Sequence, residues 1–458
     1  GCIRFEAKPL EPMAAMDRFE SRSLTDPGLA AFMEQHGAGD SRPWPRRSWD
    51  LPALTLAAFY YHPSLDVARA QWGIAEAEVI TAGARPNPTV GIGPEFSFNP
   101  ESGVSPWVAG LNVDIPIETA GKRGYRMDKA RHLSEAARLN IGSVAWQVLA
   151  HVRNTLVAFA VASRRAGLLN ERRQTQEQIV ELLERGLEAG AIAPFELSAA
   201  RVELARTQVQ SRESERDVAR SRNGIAEATG LPAEALADVQ LEYDLEQIAP
   251  AGVTVADARR QALHNRTDVA VALAEYAACQ SALQLEIARQ YPDVHIGSGY
   301  QYDQGQDKWM LGLAVELPLF DQNQGGIAEA GARRVEAAAR FTELQAGIIS
   351  EIDRAVTGQR LALEQMQAAA ELFDAQQRQF AAVNAQFQVG EIELRDLLAA
   401  RLELADAASA QLETLGKAHE AQGALEDAVR RPLDAAAWKY LEQPQGTGTG
   451  SEQHETQE

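Results

Sequence analysis

After Gly121 the chain reads as helix, rich in Ala, Arg and Glu, for roughly 68 residues to Ala189. At 1.5 Å per residue such a helix is about 100 Å long, more than one globular core can cover, and helices of that length belong to coiled coils or helical barrels. The turn Gly190-Ala191-Ile192-Ala193-Pro194 breaks it. A helix then returns over residues 195–229 until Gly230-Leu231-Pro232 stops it, and a connector runs to about Val253.

The same order occurs twice. In the first copy a helix over residues 54–84 ends at Arg85-Pro86-Asn87-Pro88, and a strand over 89–98 and a polar turn lead to a strand from Trp107. In the second, a helix over 254–289 precedes Tyr291-Pro292, strands over 294–302 and 309–319, a long helix over 327–389, a turn at Gly390 and a helix over 391–430. The two turns match in sequence, GLEAGAIAPFELSAARVELA ending at Ala205 against QFQVGEIELRDLLAARLELA ending at Ala405. The expected domains are an extended arm over 1–50, a first repeat over 51–253, a second over 254–431, and a connector and disordered tail over 432–458. Helix lengths agree with this, because one long helix of about 68 residues equals two shorter ones of about 35 and 36 stacked end to end.

The strands tell what surrounds them. In WVAGLNVDIPI (107–117) and WMLGLAVELPL (309–319), one set of alternate residues is apolar and the other is small or acidic, so each strand has a greasy face and a wet face. A run of about 9 to 11 such residues is what a tilted strand needs to cross a bilayer, although a soluble sandwich strand alternates in the same way. No run of about 18 apolar residues is present, which leaves strands to make any crossing. The formal net charge of −20 argues against nucleic acid as a partner. Four strands cannot close a barrel and open edges are not tolerated in lipid, so several copies must pool their hairpins. Three copies would give twelve strands and a water-filled lumen, two a plugged pore of eight, and a homotrimer is the simpler answer. The expected fold class is therefore an α+β membrane protein, a trimeric twelve-strand transmembrane β-barrel continued by a long α-helical coiled-coil barrel.

Two cysteines cannot make a disulfide framework. Cys279 sits in an Ala-rich helical pattern and reads as a buried, inert thiol. Gly1-Cys2 is similar to the end of a bacterial lipoprotein signal, which makes Cys2 a candidate for acylation, with a tag scar as the alternative.

The duplicated order of helix, strand hairpin and long helix pair resembles the TolC-like outer-membrane efflux proteins from about Leu51 to Arg431. The stretches after the strands, IPIETAGKRGYR (115–126) and LPLFDQNQGGIAEA (317–330), look most like its heavy-metal branch, the cobalt-zinc-cadmium outer-membrane factors. The resemblance implies an outer-membrane location with a long periplasmic extension. It also implies work alongside a periplasmic adaptor and an inner-membrane, proton-driven pump of the resistance-nodulation-division class, with export of heavy-metal cations. The sequence carries no phosphate loop or nucleophile motif, so a conduit without an enzymatic step or cofactor is expected. A drug or protein-secretion channel has the same fold, and a soluble coiled-coil scaffold is the alternative from another class.

Parity puts Asp114 and Glu316 on the wet face, where three copies would make a carboxylate ring favouring cations, or where they are simply solvated wall groups. Trp107 and Trp309 suit a membrane-interface girdle, with core packing as the other reading. A structural cap explains Gly190 and Gly390 at the helix turns. The resemblance assigns Leu187, Gly190, Ile192, Gly390 and Ile392 to adaptor contact. It also places an acidic constriction just beyond the second turn. Asp396 matches its first aspartate, whereas Ala399 and Ile392 depart from the pattern. Glu196, the counterpart of Asp396 in the first repeat, could complete that ring, and a solvated helix face explains either residue as well. The histidines and methionines are scattered without ligand spacing, and His295 lies on the inward parity of its strand as a lone imidazole.

Overall fold

A computed structural model describes residues 4–36, 44–100, 102–248, 254–303 and 305–433. Cys2 and most of the expected tail lie outside the described residues. From residue 51 on, the elements come in two series. The first is α3 (Leu51–Tyr61), α4 (Pro63–Gly83), β2 (Thr89–Phe96), β3 (Trp107–Ile117), α5 (Lys122–Glu188) and α6 (Pro194–Thr229). The second is α7 (Val255–Asn265), α8 (Thr267–Ala288), β5 (Val294–Asp303), β6 (Gln306–Val315), α9 (Gln324–Gln388) and α10 (Leu394–Val429). Lengths match pair by pair, 11 and 11 residues for α3 and α7, 67 and 65 for α5 and α9, 36 and 36 for α6 and α10.

Each helix that opens a series is broken where the sequence suggested one piece. His62 leaves the helix with ψ at 120° ahead of Pro63, whose ring cannot continue the preceding turn. Arg266 does the same with ψ at 110°, its guanidinium held by Asp268, the second residue of α8. The stretch over 1–50, expected to be extended, carries α1 (Pro12–Glu20), α2 (Pro27–Gln35) and a two-residue strand β1 (Ser48–Trp49). The Asp26 carboxylate accepts from the Gly28 N–H at 2.7 Å, capping α2, so a proline-started helix forms in a segment without long periodicity.

The chain divides into two compact units. One, over 66–144 and 266–347, contains α4, α8, the N-terminal parts of α5 and α9, and a four-stranded antiparallel sheet in the order β2-β3-β5-β6. The sheet joins the two expected hairpins through β3 and β5, with Ile117 opposite Val294 and Ala109 opposite Tyr302. The last strand differs from expectation. It starts at Gln306, because Gly305 takes φ of 89° in a tight turn, and ends at Val315, which faces Val294 at the start of β5. Among the described residues the β5–β6 ladder ends at that pair, and Pro318 has no N–H to give.

The other unit, over 4–65, 145–265 and 348–433 of the described residues, holds α1–α3, α6, α7, α10, the rest of α5 and α9, and a parallel contact of β1 with β4 (Gln240–Leu241). Its core is apolar side chains such as Leu54, Leu56, Leu156, Ile225, Leu236 and Leu425, each no more than 1% exposed. By length and composition one stretch of α5 is long and apolar enough to cross a membrane, against expectation. Average hydropathy does not separate a packing face from a span. α5 contributes Val148, Leu149, Val152 and Leu156 to this buried core.

Candidate functional site

Register sorts the sheet residues into two faces. One carries Val90, Ile92, Phe96, Trp107, Leu111, Ile115, Ile296, Trp309, Leu311 and Leu313. It is uncovered, with Ile92 78%, Trp309 81% and Leu311 83% exposed. Phe96 lies against Trp107 with centroids 4.9 Å apart, Tyr300 against Trp309 at 5.1 Å, and Phe98 against Phe96 at 5.5 Å. The two tryptophans thus belong to two separate aromatic clusters, Phe96, Phe98 and Trp107 at the first hairpin and Tyr300 and Trp309 at the second. Cross-strand pairing brings each tryptophan to its neighbour.

The opposite face is glycine-rich. Gly93 faces Gly110, Gly91 faces Asn112, Gly297 lies between Asp114 and Gly312, and Gly299 lies between Asn112 and Met310. An added Cβ at Gly93 would meet nothing within 4 Å, and one at Gly312 nothing nearer than 3.9 Å. Asp114 stands on this face, and its Oδ2 accepts a hydrogen bond from His295 Nδ1 at 2.9 Å across the β3–β5 pairing. The lone histidine therefore has a carboxylate partner, which strand register alone reveals. Glu316 falls one residue beyond β6 and is exposed, so it is not a strand residue as expected.

The stretches that carry the family resemblance form the junctions below the sheet. Arg126 pairs with Glu118 at 2.6 Å and donates to the carbonyls of Ala82 and Ala84, while Arg123 donates to that of Gly83, tying the start of α5 to the end of α4. Lys122 bonds Asp293 at 2.7 Å and the Thr119 hydroxyl donates to the Pro292 carbonyl, fastening β3 and α5 to the entry of β5. Burial acts to raise the Asp293 carboxyl, but Lys122 and the Thr119 N–H outweigh it and hold the group below the ordinary carboxylate range. Asn323, at φ of 60°, donates to the Glu286 carbonyl and carboxylate at 2.8 Å and seats the start of α9 on α8. Cys279 is half-buried rather than buried and lines a cleft of about 890 Å³ with Lys129, Glu275 and Arg333.

The hairpin tips lie in the other unit. At the first, Gly190 at φ of 70° donates to the Leu187 carbonyl and Ala191 to that of Gly186; at the second, Gly390 at φ of 80° donates to Phe387 and Glu391 to Gln386. Both are the same left-handed helix cap. Leu187 and Ile192 pack on Val180, Leu183 and Leu197, closing the α5/α6 hairpin on itself, and Ile392 is half-buried. Asp396 is exposed, whereas Glu196 is half-buried and 3.5 Å from Arg395 Nη1. The structure thus pairs Glu196 with the residue before Asp396. No motif marks Arg395 in the sequence, and only the packing of the two tips brings it near Glu196.

Further along the same unit, Arg153 is buried with Glu426 at 3.0 Å and Asp427 at 2.7 Å, and Trp146 Nε1 donates to Asp427 at 2.9 Å. His419 accepts from Tyr243 at Nδ1 (3.0 Å) and donates from Nε2 to the Leu245 carbonyl at 2.8 Å. Burial lowers the His419 imidazole below its ordinary value and, with the charge of Glu426, pushes Tyr243 up to about 12. Among the described residues no three His, Cys, Asp or Glu side chains are gathered in a metal-holding group.

The chain matches the family described as outer membrane efflux protein over residues 47–231 and 258–429. It is 26% identical over 280 residues to the cobalt-zinc-cadmium resistance protein CzcC of Cupriavidus metallidurans, a match covering 61% of this chain and 65% of CzcC, just under two thirds of that protein. It is 24% identical over 339 residues to the nickel-cobalt-cadmium resistance protein NccC of Alcaligenes xylosoxydans xylosoxydans, covering 73% and 74% of the two chains. The outer membrane protein VceC of Vibrio cholerae shares the fold at a TM-score of 0.68 and 20% identity, over 84% of this chain and 97% of VceC. An uncovered apolar sheet face, a glycine-rich opposite face, paired helices of 67 and 65 residues and a family match across both series together place this chain in the outer membrane efflux protein family.

Proposed function

We propose that the chain is the outer-membrane channel of a tripartite efflux system that exports heavy-metal cations of the cobalt, zinc and cadmium or copper and silver class. Three copies would join their four-stranded sheets edge to edge, β2 of one against β6 of the next, into a twelve-strand barrel. The long helix pairs would form a tunnel through the periplasm to an adaptor and a proton-driven inner-membrane pump. The observation that carries this reading is the sheet. One face exposes Trp309, Leu311, Leu313 and Ile92, the other is rich in glycine, and the outer strands are open on one side. Water alone accommodates that arrangement badly, whereas a lipid exterior, a wet interior and edge closure by neighbouring copies satisfy all three features. The metal class is supported by the CzcC and NccC similarity and by Asp114 on the glycine face. Asp114, with Glu316 just beyond the end of β6, would bias the passage toward cations, Trp107 and Trp309 would sit at the lipid interface, and Leu187, Gly190, Ile192, Gly390 and Ile392 would meet the adaptor. Glu196 and Asp396 would lie at the periplasmic gate.

The test is planar-bilayer conductance of the detergent-extracted protein, together with cobalt, zinc and cadmium resistance of cells with and without it. Cation-selective pores from a trimer and lowered resistance on loss of the protein are expected. A monomer that does not insert would overturn the channel, and pores whose loss leaves metal resistance unchanged would overturn the metal cargo.

A further inference from the structure

Asp114 and His295 meet across the β3–β5 pairing. A carboxylate can only accept, so the 2.9 Å contact fixes the proton on His295 Nδ1 and leaves Nε2, in the neutral ring, with a lone pair. Histidines that bind transition metals are oriented in this way, with the far nitrogen donating to a carboxylate that sets the tautomer and raises the basicity of the ligating one. The neighbours of the ring on this face are small and its side chain is partly exposed. Ala314 is the cross-strand neighbour of His295 and Gly297 the next residue on its face, with Gly312 beyond, and the His295 side chain is 44% exposed. The charged groups nearby are acidic or already paired: Asp114 on β3, and Asp293 two residues back, held by Lys122.

We propose that His295 Nε2, oriented by Asp114, is a direct contact for divalent transition cations as they pass along the glycine face, one per subunit. The inference rests on the reading of that face as the lining of a metal conduit and deepens it. A single imidazole with water completing the coordination shell binds weakly, which suits a wall that must release what it holds. It also discriminates, because nitrogen ligands suit zinc, cobalt and nickel, whereas magnesium keeps to oxygen and its own water.

The test uses the full-length, detergent-extracted protein and diethyl pyrocarbonate, which modifies free imidazole nitrogen, with each histidine followed by peptide mass spectrometry. Zinc chloride should slow modification of His295 and magnesium chloride should not. In Asp114→Ala the zinc concentration giving half protection should rise by about tenfold or more, with a smaller rise in Asp114→Asn, which keeps an acceptor without its charge. Equal labelling of His295 with and without zinc overturns the proposal, as does protection that is unchanged in both variants. Conductance of the same preparation separates the two readings. Conducting pores without zinc protection would remove this contact alone, whereas protection in a protein that neither conducts nor confers resistance would remove the conduit and leave the contact.

Discussion

Arg395 Nη1 lies 3.5 Å from Glu196 Oε2, an ion pair that links the start of α10 to the start of α6 at the hairpin tips. Glu196 is thereby engaged within its own chain. On the proposed channel reading the tips would separate as the tunnel opens, and this contact then favours the closed arrangement. Arg395 is 60% exposed, so the pair contributes modestly, on the order of 0.2–1 kcal/mol. Arg395→Ala and Glu196→Gln should each raise the open fraction of single channels by up to about fivefold, and the double variant should add little to either. Strict additivity would show that the two side chains do not act on each other.

The Arg153 cluster should be far less tolerant. Its side chain and that of Glu426 are 5% and 6% exposed, so removing the guanidinium leaves a buried carboxylate without its partner. Arg153→Ala should destabilise the protein by about 3–5 kcal/mol, read from thermal or denaturant unfolding in detergent. Arg153→Ala paired with Glu426→Gln should recover part of the loss, and no recovery would mean the charge is not what matters.

Acid should weaken the same region through His419. Its imidazole is held neutral below the ordinary 6.5, so in the unfolded chain it takes up a proton first. Stability from this group is present above about 6.5 and is lost as pH falls through that value toward the lowered folded one. The thermal midpoint should therefore drop between neutral pH and about pH 5 in the wild type, and the drop should be shallower in His419→Asn. An identical pH profile in the variant would assign the acid sensitivity elsewhere.

Gly230 offers a backbone test. It ends α6 at φ of 73°, and an added Cβ would lie 2.9 Å from the Tyr61 carbonyl oxygen and 3.0 Å from His62 Cα. Gly230→Ala combines a left-handed cost of about 1–2 kcal/mol with a clash against main chain that has little room to move. Its destabilisation should exceed that of Gly190→Ala, where nothing lies within 4 Å, and equal effects would leave the left-handed cost as the whole story.

Much of this was legible in the chain itself. The lengths of α5 and α9, the turns at Gly190 and Gly390 and the two-faced strands follow from local rules: helical periodicity, a residue free to adopt positive φ, and alternation along an extended backbone. The break at His62 is marked locally by Pro63, whereas the one at Arg266 leaves no proline or glycine, because a helix interrupted for one residue keeps the composition of a continuous one. The helices within the first fifty residues escaped for the opposite reason, being too short to show periodicity.

The chain by itself determined element type and length, because those depend on neighbours a few residues away. Only the tertiary structure decided which side chains meet. Asp114 and His295 are separated by 181 positions, Arg153 and Glu426 by 273, and Glu196 and Arg395 by 199. Such pairs are set by strand register and helix packing, which sum many weak contacts over the whole fold, and no local pattern encodes them.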